Sequence, residues 1–370
     1  MKFNVSSGEL VKSLSAVAGA VPAKATLAIL EMVLFESENG KLKLTATDLE
    51  VSIVEYVNAE IEVEGSVAVP ARRLLETLRQ LPDIPVYFDV DERFNVKFKT
   101  DKGTYRLAGE NGDEFPEMPD LSESVVIESN TGTIKDAIQK TSFAVSSDDL
   151  RPAMMGVYFQ IGTESSKIVA TDGHRLVKLT ATNLTADKEI NFIVPEKALN
   201  LTLKSLDELD CTVSVTDEHV SFQSGNTRII ARLINQQYPN YETVIPRDND
   251  KRMIVNKEQM LATVRRVSIF SSTTTRQIRL RVDKDQLTIS AEDIDMSSEA
   301  KESIEAEYSD EAMEIGFNAR YLADVLNNVN HAEVLFEFST PNRAGIVKPA
   351  EQAEDNDILM LVMPVMLNSY

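Results

Sequence analysis

The sequence is poor in the residues that most often carry covalent crosslinks, catalysis or base stacking. Its 370 residues include no tryptophan, one cysteine and three histidines, and aromatic residues make up only 6% of the chain. The single cysteine, Cys211, excludes an internal disulfide and fits a reducing compartment. The scarcity of aromatic side chains argues against binding of single-stranded nucleic acid by base stacking.

Long apolar segments and a surplus of basic residues are also missing. The N-terminal MKFNVSSGEL has no apolar signal core, and the apolar run ILMLVMPVML at 358–367 is too short to span a bilayer. We therefore expect a soluble cytoplasmic protein. The formal net charge is −21, from 38 basic and 59 acidic side chains, which on average argues against a nucleic-acid partner. An average can conceal surfaces of opposite charge, so the positions of the charges matter more than their sum.

What the sequence does contain is a threefold internal repeat. Helical apolar spacing after a polar entry occurs at 6–21, 130–146 and 255–272, and a second helical pattern occurs at 69–81, 194–206 and 316–329. Between the two helical patterns lie the tags LTATDLEVS (44–52), IVATDGHRL (168–176) and ISAEDIDMS (289–297). Alternating segments such as KLKLTAT and VKFKT indicate half-buried antiparallel strands. The markers keep their order at a period of about 120–126 residues, which is the size of a domain.

Each repeat therefore reads as a helix, several strands, a second helix and several strands. We predict an α+β fold of three tandem similar domains with paired helices and antiparallel sheets, at residues 1–122, 123–248 and 249–370. The boundaries fall near FPEMPDLSES (115–124) and YPNYETVIPRDND (238–250), which are rich in proline and poor in strand signals.

Basic side chains are concentrated in the six predicted helices. The windows 9–24, 71–80, 133–140, 195–204, 257–266 and 318–328 hold thirteen basic and six acidic residues, whereas the rest of the chain holds 25 basic and 53 acidic residues. On one helix, the ordinary explanation is a solvated outer face, because lysine and arginine are good helix formers. Recurrence on six helices favours a shared basic surface that contacts a duplex backbone without reading its sequence.

These motifs together resemble the bacterial sliding clamp family, the beta subunit of DNA polymerase III. The resemblance covers essentially the whole chain and rests on the three tandem units, ATDGHRL at 170–176, FPEMPD, YPNY and VIP within 238–246, and MPVML at 363–367. It implies a DNA clamp fold, in which two chains form a ring of six domains around duplex DNA with helices lining the hole. It also implies a function without catalysis or cofactors: tethering the replicative polymerase and other DNA-processing proteins for processivity.

The resemblance and the charge pattern give three sets of candidate site residues. The resemblance places Lys24 in a basic loop near the duplex, and the basic helices supply further candidates for facing DNA, namely Arg72, Arg73, Arg79, Lys135, Lys140, Lys197, Lys204, Arg265 and Arg266. The resemblance implies a pocket for peptide tails of polymerase subunits, the clamp loader and repair proteins, formed by Met154, Thr171, Gly173, His174, Arg175, Leu176, Pro239, Thr243, Val244, Ile346, Met363, Pro364, Val365, Met366 and Leu367. It implies a dimer interface in which Tyr105 and Leu107 face Ile269 and Phe270.

The physical logic of the pocket is that apolar walls give affinity while polar groups at the rim fix the bound strand. Methionines suit such a pocket because they repack around different tails. The sequence departs from the family at Met366, a position that is often arginine, and it continues as Asn368, Ser369 and Tyr370. The preferred partner motif therefore stays open. Near the dimer interface, Glu299, Glu302 and Glu305 could pair with first-domain arginines such as Arg73 and Arg106.

Two alternatives remain at this stage. The cluster of Asp172, His174 and Arg175 could be catalytic, but acyl transfer also needs a nucleophile and an oxyanion hole, and a metal site needs further ligands. The matching tags ATDLE and AEDID lack both histidine and arginine, so we expect no catalytic, cofactor or metal site. The second alternative is a three-lobed peptide-binding adaptor that does not encircle DNA, which the net charge of −21 also allows.

Overall fold

The computed structural model describes residues 1–367 and confirms the six predicted helices. The helices within these residues are α1 Ser7–Val17, α2 Ala71–Leu78, α3 Thr131–Thr141, α4 Glu196–Ser205, α5 Lys257–Ser268 and α6 Ala319–Asn327. None of them is long and apolar enough to cross a membrane. Asn368, Ser369 and Tyr370, which bear on the partner motif, lie outside the described residues.

The strands of the same residues are numbered in chain order. They are β1 Lys2–Ser6, β2 Met32–Glu38, β3 Lys41–Thr47, β4 Val51–Val57, β5 Glu60–Val63, β6 Ser66–Pro70, β7 Pro85–Val90, β8 Asn95–Lys99, β9 Thr104–Ala108, β10 Glu110–Asn111, β11 Val125–Asn130, β12 Gly156–Ile161, β13 Ser166–Thr171, β14 Arg175–Ala181, β15 Ile190–Pro195, β16 Asp210–Val215, β17 His219–Ser224, β18 Thr227–Arg232, β19 Lys251–Asn256, β20 Gln277–Asp283, β21 Gln286–Asp293, β22 Ser298–Glu305, β23 Glu307–Tyr308, β24 Met313–Asn318, β25 Glu333–Phe338, β26 Gly345–Pro349 and β27 Asn356–Val362.

Side chains at the helix starts explain where several helices begin. The side chain of Ser6 accepts a hydrogen bond from the backbone N–H of Glu9, and Asn256 accepts one from Gln259, so each satisfies a donor that the first helical turn leaves free. Pro70 and Pro195 are the N-cap residues of α2 and α4, at the ends of β6 and β15. Their fixed φ suits this position because the capping residue lies outside the helix.

The chain divides into two compact units, and the first consists of Met1–Asp136 with Val194–Ile234. It contains a five-stranded sheet in the order β5-β1-β7-β8-β9 and a nine-stranded sheet in the order β10-β6-β2-β3-β4-β18-β17-β16-β11. In the nine-stranded sheet β4 pairs antiparallel with β18, a strand from the second repeat. Phe3, Phe88 and Phe98 stack in series inside this unit, with ring centroids 4.7 and 5.3 Å apart.

The second unit consists of Ala137–Ile193 with the residues from Asn235 onward. Its nine-stranded sheet has the order β15-β12-β13-β14-β27-β26-β25-β19-β23, and its four-stranded sheet has the order β22-β21-β20-β24. Here β14 of the second repeat pairs with β27 of the third along its whole length. Each nine-stranded sheet therefore combines strands from two neighbouring repeats.

The repeat markers occupy equivalent places in the fold. Each of the three tags is the turn of an antiparallel hairpin, joining β3 to β4, β13 to β14 and β21 to β22. The stretch 115–124 contains no strand, and 238–250 contains only a short 3-10 helix at Tyr241–Val244. The antiparallel strands and the strand-poor connections predicted from the sequence are thus confirmed.

Candidate peptide-binding and nucleic-acid-binding sites

The segment Thr171–Arg175 forms a tight hairpin turn whose polar side chains bond to its own backbone. The hydroxyl of Thr171 donates to the carbonyl of Arg175 at 2.7 Å and accepts from the N–H of Gly173 at 3.1 Å. One carboxylate oxygen of Asp172 accepts from the N–H groups of His174 and Arg175, both at 2.9 Å. Gly173 has φ +86°, a conformation that glycine adopts without steric cost. Thr171, Asp172 and Gly173 therefore build the turn, and the turn positions the side chains of His174 and Arg175.

Arg175 is buried, although the sequence placed it at the rim of a pocket. Its side chain is only 9% exposed, and its guanidinium donates to the Asp172 carboxylate at 3.2 Å, to the carbonyl of Phe143 at 2.7 Å and to Asp324 on α6. The same group lies over the rings of Phe143 and Tyr321, 5.4 and 5.2 Å from their centroids. A buried guanidinium needs such partners because an unpaired charge there would be strongly destabilising. Arg175 thus holds the turn against α6 and does not offer a free charge at the surface.

The structure brings the turn and the end of β27 together, as the predicted pocket requires. The backbone N–H of Met363 donates to the carbonyl of His174 at 2.8 Å, and the imidazole of His174 stacks on Tyr321 with the centroids 5.3 Å apart. Leu176 pairs across the sheet with Leu361, which also pairs with Ile346.

Besides the buried Arg175, the predicted pocket residues fall into a buried, a half-buried and an exposed set. Thr171, Leu176 and Ile346 are buried, which makes them core residues beneath the surface. Met154, Pro239, Pro364, Val365 and Leu367 are half-buried. Exposed positions are Gly173, His174, Thr243, Val244, Met363 and Met366. The side chain of Met366 is 75% exposed and that of Met363 40%, so both methionines are available to a ligand.

Two tyrosines next to Pro239 fix the connection 238–250 onto the second repeat. Tyr238 stacks on Tyr158 with centroids 4.6 Å apart, and the hydroxyl of Tyr241 donates to the side-chain oxygen of Gln160 at 2.5 Å. Burial raises the pKa of both tyrosines above the ordinary range. Glu242 forms an ion pair with Lys167 at 3.0 Å. These contacts were not predicted from the sequence, although the aromatic pair in YPNY is a signal that could have indicated them.

The ten basic residues proposed to face DNA lie on or next to five of the six helices, and they differ in their partners. Lys24 lies in the loop after α1, and it is exposed together with Arg72, Arg73, Arg79, Lys197, Lys204, Arg265 and Arg266, whereas Lys135 and Lys140 are half-buried. Lys197 forms an ion pair with Asp48, and Arg266 donates three hydrogen bonds to the carboxylate of Glu302, at 3.0, 3.2 and 2.6 Å. Hydrogen bonding to Arg266 lowers the pKa of Glu302.

The ion pair between Arg266 and Glu302 also bears on the predicted dimer interface. Glu302 was expected to be available to arginines of the first domain, but within the chain its carboxylate is already occupied by Arg266. Lys197 and Arg266 thus have acidic neighbours that reduce their attraction for phosphate.

Two further arginines that the sequence did not single out join Arg265. A cavity of about 320 Å³ between the end of α5 and the start of α6 is lined by Arg265, Arg276 and Arg320 together with the hydroxyls of Ser271 and Thr273. The residues around this cavity include no carboxylate. Guanidinium groups and hydroxyls in this arrangement suit an anion such as a phosphate. The run SSTTTR at 271–276 was the available signal in the sequence.

Two of the four predicted interface residues lie on the edge strand of a sheet, and the other two follow a helix. Tyr105 and Leu107 lie on β9, the edge strand of the five-stranded sheet. Leu107 is buried and Tyr105 stacks on Phe98 at 4.8 Å, so both also pack within their own sheet. Ile269 and Phe270 follow α5 and are 78% and 40% exposed.

No cluster of histidine, cysteine and carboxylate side chains suited to a metal ion occurs among residues 1–367. Cys211 is buried on β16, and burial raises the pKa of its thiol to about 11. A thiol with that pKa carries almost no thiolate at neutral pH, so it is a poor nucleophile.

Family models match the three repeats separately. The N-terminal, central and C-terminal domains of the DNA polymerase III beta subunit match residues 1–119, 128–240 and 242–366. The beta sliding clamp of Pseudomonas aeruginosa is 31% identical over 372 residues, which cover 99% of this chain and 100% of that protein. The beta sliding clamp of Vibrio cholerae is 30% identical with the same coverage.

Solved structures agree with the sequence matches. The DNA polymerase III beta subunit of Pseudomonas aeruginosa superposes with a TM-score of 0.93 at 30% identity, covering 99% of this chain and 100% of that one. The DNA polymerase sliding clamp of Bacillus subtilis superposes with a TM-score of 0.94 at 26% identity, covering 100% of both chains. Another solved structure is the Pseudomonas aeruginosa clamp bound to griselimycin.

Proposed function

The chain belongs to the DNA polymerase III beta subunit family and is a non-catalytic DNA sliding clamp, and from this premise we propose which of its residues meet DNA, partner proteins and a second copy of the chain. We assign the three domains to residues 1–122, 123–248 and 249–370 and place the protein in the cytoplasm, where a bacterial replication factor works. The matches of the three family models in tandem support this division.

We propose that eight of the ten predicted basic residues, together with Arg276 and Arg320, face double-stranded DNA. The eight are Lys24, Arg72, Arg73, Arg79, Lys135, Lys140, Lys204 and Arg265. The observation that carries this proposal is that basic side chains recur on the paired helices of all three repeats in a chain whose net charge is −21. Phosphate contacts of this kind hold the duplex without reading sequence, which allows sliding. Lys197 and Arg266 contribute less because Asp48 and Glu302 balance their charges.

We infer that two chains join through the edge strands β9 and β22. Among residues 1–367, β9 and β22 are edge strands of the five-stranded and four-stranded sheets, and pairing β9 of one chain with β22 of another would build a nine-stranded sheet. The chain already contains two sheets of that size. Exposed edges of this kind invite strand pairing, and a head-to-tail contact repeated twice closes into a ring. Ile269 and Phe270 would then pack against Tyr105 and Leu107 of the other copy.

We further propose that polymerase subunits, the clamp loader and repair proteins each insert a short peptide tail of their own into this chain. The tail would bind between the Thr171–Arg175 turn and Met363–Leu367. The exposed side chains of His174, Met363 and Met366 support this assignment. Flexible methionines let one surface accept several tails, and the buried Arg175 fixes the turn beneath them.

Retention on circular DNA tests the assignment to DNA. Changing Arg72, Arg73, Lys204 and Arg265 together to alanine should shorten the lifetime of loaded clamps on nicked circles. The slope of log DNA affinity against log salt concentration should also fall, by about one unit for each lost phosphate contact. A control variant changes the exposed loop lysines Lys102, Lys188 and Lys284, which lie outside the helices. Equal retention of both variants would contradict the proposal, and wild-type protein that stays equally well on linear DNA would contradict encirclement.

A further inference from the structure

The first repeat contains a cavity whose counterpart in the second repeat is filled by the chain itself. Its volume is about 360 Å³, and its floor is formed by Leu34 and Glu36 of β2 with Lys43 and Thr45 of β3. In the antiparallel register Leu34 lies opposite Thr45 and Glu36 opposite Lys43. These four residues are therefore a two-by-two patch on one face of the sheet.

The second repeat has the same patch at β12 and β13, where Tyr158 lies opposite Val169 and Gln160 opposite Lys167. That patch is covered by the connection that follows, because Tyr238 stacks on Tyr158 and the hydroxyl of Tyr241 donates to Gln160. The tyrosine ring of Tyr241 is thus the natural occupant of this site in the second repeat.

The connection after the first repeat begins in the same way and ends differently. FPEM at 115–118 corresponds to YPNY at 238–241. Phe115 is buried against Leu34, as Tyr238 is against Tyr158. Met118 replaces Tyr241 and packs at the edge of this apolar cluster. Because methionine offers neither an aromatic ring nor a hydroxyl, Glu36 receives no hydrogen bond of the kind that Tyr241 donates to Gln160.

Two polar groups that line this cavity are the hydroxyl of Thr45 and the ammonium of Lys43. Thr45 is only 1% exposed, and within the described chain its hydroxyl has no hydrogen-bond partner. A buried hydroxyl without a partner lowers the stability of the fold, so a hydrogen bond from a bound ligand to this hydroxyl would be favourable. Lys43 is held by Glu36 at 3.3 Å and Glu38 at 3.0 Å. Burial alone would lower the pKa of Lys43, but the hydrogen bond and charge of Glu38 and the charge of Glu36 raise it overall, so the ammonium stays charged.

We propose that this cavity is a second recognition site, independent of DNA encirclement, that binds a tyrosine side chain of a partner protein. The ring would lie on Leu34, Phe115 and Met118, and the phenol would donate to the Glu36 carboxylate as Tyr241 donates to Gln160. The phenol oxygen would accept from the hydroxyl of Thr45. Asp113 and Glu117 also line the cavity, so basic residues beside the tyrosine would complement its charge.

The test uses the full chain labelled at its methionine methyl groups and an acetylated, amidated Lys-Tyr-Lys peptide as the probe. Titration should shift the methyl resonances of Met118 and of Met32, which packs against the same cluster, in a saturable way. A Lys-Phe-Lys peptide should bind about fivefold more weakly, because it lacks the hydroxyl that meets Glu36 and Thr45. A Glu-Tyr-Glu peptide should also bind more weakly because of the acidic lining.

Two variants separate this site from the rest of the molecule. Met118→Tyr copies the second repeat and should abolish the response at Met32, while the melting temperature stays unchanged. Thr45→Val copies Val169, should leave stability equal or higher because it removes the unpartnered hydroxyl, and should shrink the preference for tyrosine over phenylalanine. Three results would each overturn the proposal. They are resonance shifts confined to Met363 and Met366, equal affinity for the Lys-Tyr-Lys and Lys-Phe-Lys peptides, and undiminished binding of Lys-Tyr-Lys to the Met118→Tyr variant. Clamp retention on DNA should be unchanged in both variants, so failure here is distinguishable from failure of the DNA assignment.

Discussion

The turns Thr47–Val51 and Thr171–Arg175 have the same backbone design but different partners. In the first turn the hydroxyl of Thr47 donates to the carbonyl of Val51 and accepts from the N–H of Leu49. The carboxylate of Asp48 accepts from the N–H groups of Glu50 and Val51. Thr171 and Asp172 make the same bonds in the second turn. Asp48 of the first turn forms an ion pair with an exposed lysine, Lys197 on α4. The second adds a buried arginine and a stacked histidine. The shared threonine and aspartate thus build both turns, and the first turn has Glu50 and Val51 where the second has His174 and Arg175.

The largest expected difference between the turns comes from their basic partners. Arg175→Ala should lower the free energy of unfolding by about 3 kcal/mol, because it removes a buried guanidinium and leaves the carboxylate of Asp172 without its partner. Lys197→Ala should cost well under 1 kcal/mol, since that lysine is 52% exposed and its ion pair is screened by water. Urea denaturation followed by circular dichroism measures both. Equal losses in the two variants would contradict a structural role specific to Arg175.

A smaller effect concerns the residue with positive φ in each turn. Leu49 has φ +78° where the second turn has Gly173 at +86°. Leu49→Gly should therefore be neutral or stabilise by up to about 1 kcal/mol, whereas Gly173→Leu should destabilise by about 1–2 kcal/mol. Thermal melting of the two reciprocal variants shows whether the turns obey the same backbone rule. A destabilised Leu49→Gly variant would mean that the exposed leucine makes contacts that outweigh its strain.

The smallest effect on stability, and the sharpest on function, is expected at the exposed residue of each turn. His174→Ala and Glu50→Ala should both change stability by less than about 0.5 kcal/mol, because both side chains are exposed. Only His174→Ala should weaken binding of a polymerase-derived tail peptide, severalfold, because it removes the exposed imidazole that stacks on Tyr321, at a residue whose backbone carbonyl accepts from Met363. Fluorescence anisotropy with one labelled peptide compares the two variants. Matched affinities would remove His174 from the proposed peptide site.

Much of the fold could be predicted from local patterns. Period and capping residues located all six helices, and the alternation in KLKLTAT predicted a strand that the structure has at Lys41–Thr47. The contacts that define the sites could not be predicted, because they join residues far apart in the chain. The ion pair of Arg175 with Asp324 and the pairing of β4 with β18 are set by packing between repeats, which no local pattern encodes.

The candidate sites show the same division between residue type and environment. The sequence indicated which basic residues repeat, but it could not show that Arg266 is neutralised by Glu302 or that Arg175 is buried. Arg276 was missed because a single arginine after SSTTT carries no periodic signal, and only the fold brings it to Arg265 and Arg320.

The pairing of β4 with β18 has a consequence for synthesis on the ribosome. Val51–Val57 emerges long before Thr227–Arg232, the strand that covers its free side. At typical elongation rates of 5–20 residues per second, roughly 175 intervening residues leave that side open for about 10–35 seconds. The nascent chain must avoid aggregation through this interval. Crowded or stalled translation should therefore cause more aggregation of this protein than of one whose sheets close within each repeat.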